Sequence, residues 1–320
     1  MRAVRWAAIA AAVLTFGMIV LGATIRVTDS GLSCPDWPTC YGHWVPLPSD
    51  LEGIPNLGYT YAQVMYEWVH RLIAGVFLGP LILVVAVVAW SRRTLDPRLP
   101  LVGGTLVLLL LIQGALGGIT VLDSNSPWSV ALHLGTALLL LTTLLHLVER
   151  ATPRPAGPAA SPVVLTLAAV AWFVAWITML SAAMMAKSGA ALACTTWPDC
   201  NGVLVPDLAD PFLHLHFMHR ALALLTAVTI LVLFLASRRL PVPAGVTRWT
   251  HAAVALVVVQ VAMGAIVIWT ELNLVVAVAH QALGVLTFVT INMALWRCVI
   301  GPAGQQTRSE IRHGIALRGA

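Results

Sequence analysis

The chain has 320 residues, 59% of them hydrophobic and only 10% charged, with a mean hydropathy of +0.88 and a net charge of +5. Soluble domains carry about 25% charged residues, so this composition excludes a soluble globular protein and marks an integral membrane protein. The positive balance does not point to nucleic acid: basic residues in a membrane protein serve mainly as topology signals, and no basic-aromatic cluster stands out.

Eight apolar runs follow in chain order, at about 6–26, 63–90, 100–121, 129–149, 163–186, 211–236, 248–270 and 273–299. Runs of about 20 apolar residues are helices; barrel strands would alternate in polarity. The first run, from Trp6 to Ile25, is too long for the apolar core of a typical signal peptide. Of the 18 basic residues, 14 fall before the first span, after the eighth, or in the loops 2–3, 4–5 and 6–7. By the positive-inside rule that face is the cytoplasm, both termini lie there, and a multi-pass protein of the cell membrane is expected. Arg26, Arg71, Lys187 and Arg220 are the four that do not fit this pattern. The long loops 27–62 and 187–210 then lie outside.

The chain repeats itself. Cys34-Pro-Asp-Trp-Pro-Thr-Cys40 resembles Cys194-Thr-Thr-Trp-Pro-Asp-Cys200, and Gly42 matches Gly202. His70-Arg71 matches His219-Arg220, Gln113 and Gly117 match Gln260 and Gly264, and His133 matches His280. Each repeat holds four spans and starts on the same side, so the halves are parallel and related by an axis along the membrane normal. The expected fold is an all-α integral membrane protein, with eight transmembrane helices as two pseudo-symmetric four-helix bundles. The amino-terminal half is residues 1–151. A Pro/Ala-rich cytoplasmic linker, 152–162, joins it to the carboxy-terminal half, 163–300, and 301–320 reads as a disordered cytoplasmic tail.

Within the second span, Glu67 and His70 are three residues apart and share a helix face. Ionisable groups in a membrane-length apolar segment are costly and usually functional. His70, His133, His219 and His280 fall within about two turns of the outer ends of the even-numbered spans, one pair per half. Facing imidazoles in a four-helix bundle suit the axial positions of haem iron. A single such histidine would read as an interhelical hydrogen bonder; four at repeat-equivalent positions favour haem, and no third ligand shared by both pairs suggests a bare metal site. Glu67 is not duplicated, because His216 stands in its place. Arg71 and Arg220 are candidate contacts for haem propionates, with snorkelling to the interface as the competing role. Gln113 and Gln260 read as helix-packing hydrogen bonders.

The cysteine pairs Cys34/Cys40 and Cys194/Cys200 lie in the outer loops, where disulfides form, and each reads as a staple across a Pro-containing turn. For Cys34/Cys40, in the half with Glu67, a redox exchange with substrate is the alternative. Cys298 is left over.

Taken together, Glu67-x-x-His70, His133, His219, His280 and the paired loop cysteines in two four-helix halves resemble the haem A synthase family over about residues 5–300. The resemblance implies an oxidoreductase that converts haem O to haem A by oxidising a porphyrin methyl to a formyl group. It places haem O between His70 and His133, a haem b cofactor between His219 and His280, and the catalytic carboxylate at Glu67. Two histidines on one iron leave no open position for dioxygen, so electrons are expected to leave the methyl while water supplies oxygen in successive hydroxylations. The partners it allows are the lipid bilayer, a haem O synthase, a membrane electron acceptor and further copies of this chain. A di-haem cytochrome b, a haem transporter or chaperone, and a thiol oxidant are the rival readings. The first does not explain a carboxylate in one half only; the second would use the same ligands for transient binding; the third lacks a Cys-x-x-Cys and leaves the histidines over.

Overall fold

A computed structural model describes residues 1–54 and 57–302; the tail after Pro302 lies outside the described residues. Eight helices long and apolar enough to cross a membrane follow one another: α1 (Arg2–Val27), α2 (Tyr61–Ser91), α3 (Leu99–Leu122), α4 (Pro127–Arg150), α5 (Pro162–Lys187), α6 (Pro211–Arg239), α7 (Val246–Trp269) and α8 (Leu274–Ile300). Each is at least 24 residues long, beyond the roughly 20 that span a hydrocarbon core.

The sequence explains where these helices start. At α2, Thr60 and Gln63 form a reciprocal capping box. Ser126 and Asp210 cap α4 and α6, each followed by proline at the first helical position. There the missing N–H costs nothing and the fixed φ suits the helix. Asn273 caps α8 through its side-chain oxygen.

Each half closes on itself. In the first, α1 packs on α2, α2 on α3, α3 on α4 and α4 back on α1. In the second, α5 packs on α6, α6 on α7, α7 on α8 and α8 back on α5. The halves meet through α4 with α5, α4 with α8, and α1 with α8. One continuous core runs through that seam, from Ile82 and Leu138 to Ala171 and Phe288.

The seam also carries indole hydrogen bonds. The Trp172 Nε1–H donates to Thr142 Oγ1 at 3.4 Å, Trp176 to the Gly135 carbonyl at 3.1 Å, and Trp296 to the Thr142 carbonyl at 3.1 Å. Polar bonds of this kind hold helices together where lipid gives no hydrophobic drive. The opposite surface is apolar and open: Val13, Val87, Leu101, Leu111, Leu224 and Val258 are each more than 60% exposed. A belt of that extent belongs against lipid tails.

One helix departs from α-geometry. Residues Ile73–Leu78 of α2 form a π-helical turn, closed by the Gly79 N–H donating to the Ala74 carbonyl. Pro80 explains it. Proline has no N–H to give and its ring collides with the carbonyl four residues back, so the chain takes up an extra residue there. Thr229 stands at the matching place in α6, which remains α-helical from Pro211 to Arg239.

Candidate functional site

The first half, with Lys187 and Gln281 of the second, lines a cavity of about 800 Å³, within the roughly 300–1,000 Å³ of ligand pockets. His70 from α2 and His133 from α4 both line it, with Glu67, Trp37, Gly117 and the π-helical turn of α2. The wall is mainly aliphatic: Ile19, Leu72, Val76, Leu83, Leu110 and Leu140 contribute. Both imidazoles are only half-buried by surface although they stand among packed helices, so their free surface faces this cavity. His70 and His133 lie within electrostatic reach of each other, as do His219 and His280 in the second half.

The two halves hold their helix-4 and helix-8 histidines alike. A Cβ on Gly117 would sit 3.3 Å from His133 Cε1, and one on Gly264 would sit 3.2 Å from His280 Cε1. That is tighter than a side-chain carbon ordinarily packs, so glycine lets the ring sit where it does without displacement. Gln113 Nε2 lies 3.2–3.3 Å from the ring nitrogens of His133, and Gln260 Nε2 lies 3.4 Å from His280 Nε2. The Oε1 atoms of both glutamines are buried without a partner, and so is His280 Nδ1. A half-turn of either amide presents Oε1 to a ring N–H and leaves the other ring nitrogen as a lone-pair donor. His219 is held from a different direction, with its Nδ1 3.2 Å from Ser181 Oγ.

These features fit haem ligation. Paired imidazoles, glycines that admit a ring edge, and an apolar chamber are what a porphyrin needs. Among the described residues no group of three or more His, Cys, Asp or Glu converges on a metal-sized site.

Glu67 is buried, 5% exposed, and three donors converge on it. Its Oε2 accepts from the Cys34 backbone N–H at 2.9 Å and from the Ser33 hydroxyl at 3.1 Å. Its Oε1 accepts from Arg71 Nη2 at 2.5 Å. The loop it touches is tied by a Cys34–Cys40 disulfide, with Cα atoms 4.7 Å apart; Cys194–Cys200 ties the matching loop, at 4.6 Å. Cys298 is free and buried. Within the first loop, Asp36 accepts hydrogen bonds from Thr39 Oγ1 and from the backbone N–H groups of Tyr41 and Gly42. Partial burial works to raise the Asp36 pKa, but these hydrogen bonds outweigh it and hold the carboxyl below its ordinary range.

The arginines take a role that the sequence did not suggest. Arg71 donates to the carbonyls of Cys34, Asp36 and Thr39 as well as to Glu67. Arg220 donates to the carbonyls of Cys194, Thr196 and Asp199. Each guanidinium therefore clips its disulfide loop to the helix that carries the neighbouring histidine. The four terminal N–H bonds of Arg71 are all engaged, which leaves only Nε–H for a propionate.

His216 does stand where Glu67 does. Its Nδ1 lies 3.3 Å from the Cys194 N–H and 3.1 Å from the Ala190 carbonyl. Two residue groups escaped the sequence reading as site components: the histidine-bound glutamines, and the π-helical wall, for which Pro80 was the available signal.

Comparison with known proteins agrees with this geometry. Residues 5–292 match the family described as cytochrome oxidase assembly protein (COX15-CtaA). The chain is 33% identical over 318 residues to a heme A synthase of Shewanella oneidensis, covering 89% of this chain and 94% of that one. It is 32% identical over 306 residues to one of Symbiobacterium thermophilum, covering 90% and 95%. A heme A synthase of Shouchella clausii is 28% identical over 288 residues, covering 86% and 90%. With both the family match and these relatives spanning nearly the whole chain, this protein belongs to the haem A synthase family.

Proposed function

We propose that this chain is a haem A synthase, an oxidoreductase that converts a methyl group of haem O to a formyl group. The observation that carries the reading is the cavity of the first half, which presents two histidines and one buried carboxylate to the same space. The halves 1–151 and 163–300 divide the labour. In the first, His70 and His133 hold the iron of haem O and fix the porphyrin plane, and the aliphatic walls receive its apolar body and exclude bulk water. In the second, His219 and His280 would hold a haem b, which supplies one-electron transfer when bound.

Glu67 is the base. Hydroxylation of the methyl by water releases two electrons and two protons: one hydrogen leaves the carbon and one leaves the water as the C–O bond forms. Glu67 takes a proton at that stage. The electrons go to a membrane electron acceptor. A second identical step gives the geminal diol, which loses water to become the aldehyde. Arg71, paired with Glu67 at 2.5 Å, holds the carboxylate in place. The basic ends of the chain and of the even-to-odd loops set both termini in the cytoplasm, and the disulfide loops outside.

Haem extraction and chromatography from cells supplied with haem O test this. The intact protein is expected to yield haem A, and Glu67→Ala to bind haem but yield haem O. Normal haem A output from Glu67→Ala would overturn the assignment of the base. Haem b alone at both sites would overturn the synthase reading in favour of an electron-transfer cytochrome.

A further inference from the structure

The geometry points to Arg26, assisted by Lys187, as the anchor for a carboxylate of the ligand in the first cavity. This rests on the proposed binding of haem O there, whose propionates are the carboxylates in question.

Arg26 ends α1 and lines the cavity. Its Nη2 donates to Gln281 Oε1 at 2.6 Å, and among the described residues no other side-chain hydrogen bond engages it. Among the described residues no carboxylate lies within 4 Å of its guanidinium, whereas Arg71, Arg150 and Arg297 each have one. A cation set at the edge of an apolar chamber without a counter-charge is costly, and its cost falls when an anion arrives. A snorkelling arginine would reach for water. This one is turned toward α8 instead, and held beside the space that a ligand would fill.

Lys187, at the end of α5, lines the same rim. Among the described residues its only ionic contact is Asp29, at 3.9 Å, and the Asp29 side chain is 90% exposed. Such a pair is weak, so Lys187 is free to turn to a better anion. Arg71 is not: its terminal donors already serve three loop carbonyls and Glu67. The cavity is thus apolar in its depth, and at one rim Arg26 and Lys187 outnumber the single exposed carboxylate of Asp29. That polarity suits a flat amphiphile with carboxylates on one edge, and it fixes which edge faces the loops. It also fixes which edge faces away. Since Gln281 is adjacent to His280, the anchor is built partly by the second half, and the first site is complete only with both halves present.

The test is an absorbance titration of the purified full-length protein with haem O and with haem O dimethyl ester, in which both carboxylates are masked. The intact protein is expected to bind the diacid at least about tenfold more tightly than the diester, the size of one charge-assisted hydrogen bond. Arg26→Gln is expected to abolish that preference by weakening the diacid alone, and Arg26→Lys to retain part of it. An unchanged absorbance of the His219/His280 site shows that the variants are folded. Equal binding of diacid and diester by the intact protein, or a preference that survives in Arg26→Gln, overturns the anchor while leaving the haem site standing. Absence of any titration that depends on His70 and His133 overturns the haem site itself, and the anchor with it.

Discussion

Glu67 and His216 occupy the same station in the two halves: each faces the backbone N–H of the first cysteine of its loop, Cys34 at 2.9 Å and Cys194 at 3.3 Å. An imidazole therefore suffices to seat a disulfide loop on its helix. The negative charge of Glu67 is surplus to that task, and it is found only in the half whose cavity it lines. The loop-seating role and the chemical role are separable by substitution.

Replacing Glu67 by His, the residue nature uses in the other half, should keep the loop seated and leave haem binding intact. Removing a general base costs about 10²–10⁴ in rate, so the ratio of haem A to haem O in extracts should fall at least a hundredfold. The reciprocal His216→Glu should confer no new product. If Glu67→His instead loses haem from the first site, seating and chemistry are not separable, and the comparison of the two halves fails.

Gln113 and Gln260 set the ring orientation of His133 and His280. Loss of such an outer partner typically lowers metal affinity about 10–100-fold. Gln113→Ala should weaken the first site and spare the second; Gln260→Ala should do the reverse. Haem titration with separate spectra for the two sites reads this directly. Equal effects of either variant on both sites would show that the glutamines act on global packing.

Much of this was legible in the sequence because membrane helices are written in a coarse code. Twenty apolar residues in a row have few other solutions, so the eight spans lie within four residues of their structural ends. The repeat was legible because cysteine, tryptophan, proline and histidine are rare enough for ordered matches to mean something. The π-helical turn was not, since Pro80 reads alike as a kink, a bulge or a tolerated residue until neighbouring helices are in place. Nor were the roles of the arginines. Arg71 and Arg220 sit one residue beyond a histidine, about 100° around the helix, and only the folded loop shows that carbonyls fill that direction. Arg26 stood out only as a basic residue outside the topology pattern, because Gln281, 255 positions away, gives no local signal.

Pro80 makes a second asymmetry between the halves, after Glu67. Pro80→Ala restores the missing N–H and removes the ring collision, so α2 should close into a regular α-helix. The cavity wall at Val76, Gly79 and Leu83 then rotates by about 100° per residue of lost bulge relative to His70. The KM for haem O should rise while the absorbance of the His219/His280 site stays fixed. Thr229→Pro, the reverse change in α6, breaks a regular helix and should destabilise the protein by about 3 kcal/mol. An unaltered KM in Pro80→Ala would show that the π-helical turn has no part in substrate fit.

The seam between the halves has its own charge pair at the end away from the disulfide loops. Glu149 of α4 is 1% exposed and accepts from Arg297 Nε of α8 at 3.1 Å, with Arg297 also donating to the Ala244 carbonyl. Among the described residues Glu149 Oε2 has no hydrogen-bond partner, so Arg297 is the cation that bonds the carboxylate directly, with Arg154 and Arg5 acting from further off. Removing either member leaves the other buried and uncompensated, which costs about 3–5 kcal/mol. Glu149→Ala and Arg297→Ala should each lower the Tm in detergent by an amount of that order. The double variant should lose less than the two singles together, because neighbours in one ion pair are not additive. Strict additivity would mean that the two side chains do not act as a pair, and that the halves are held at this end by the apolar core and indole hydrogen bonds alone.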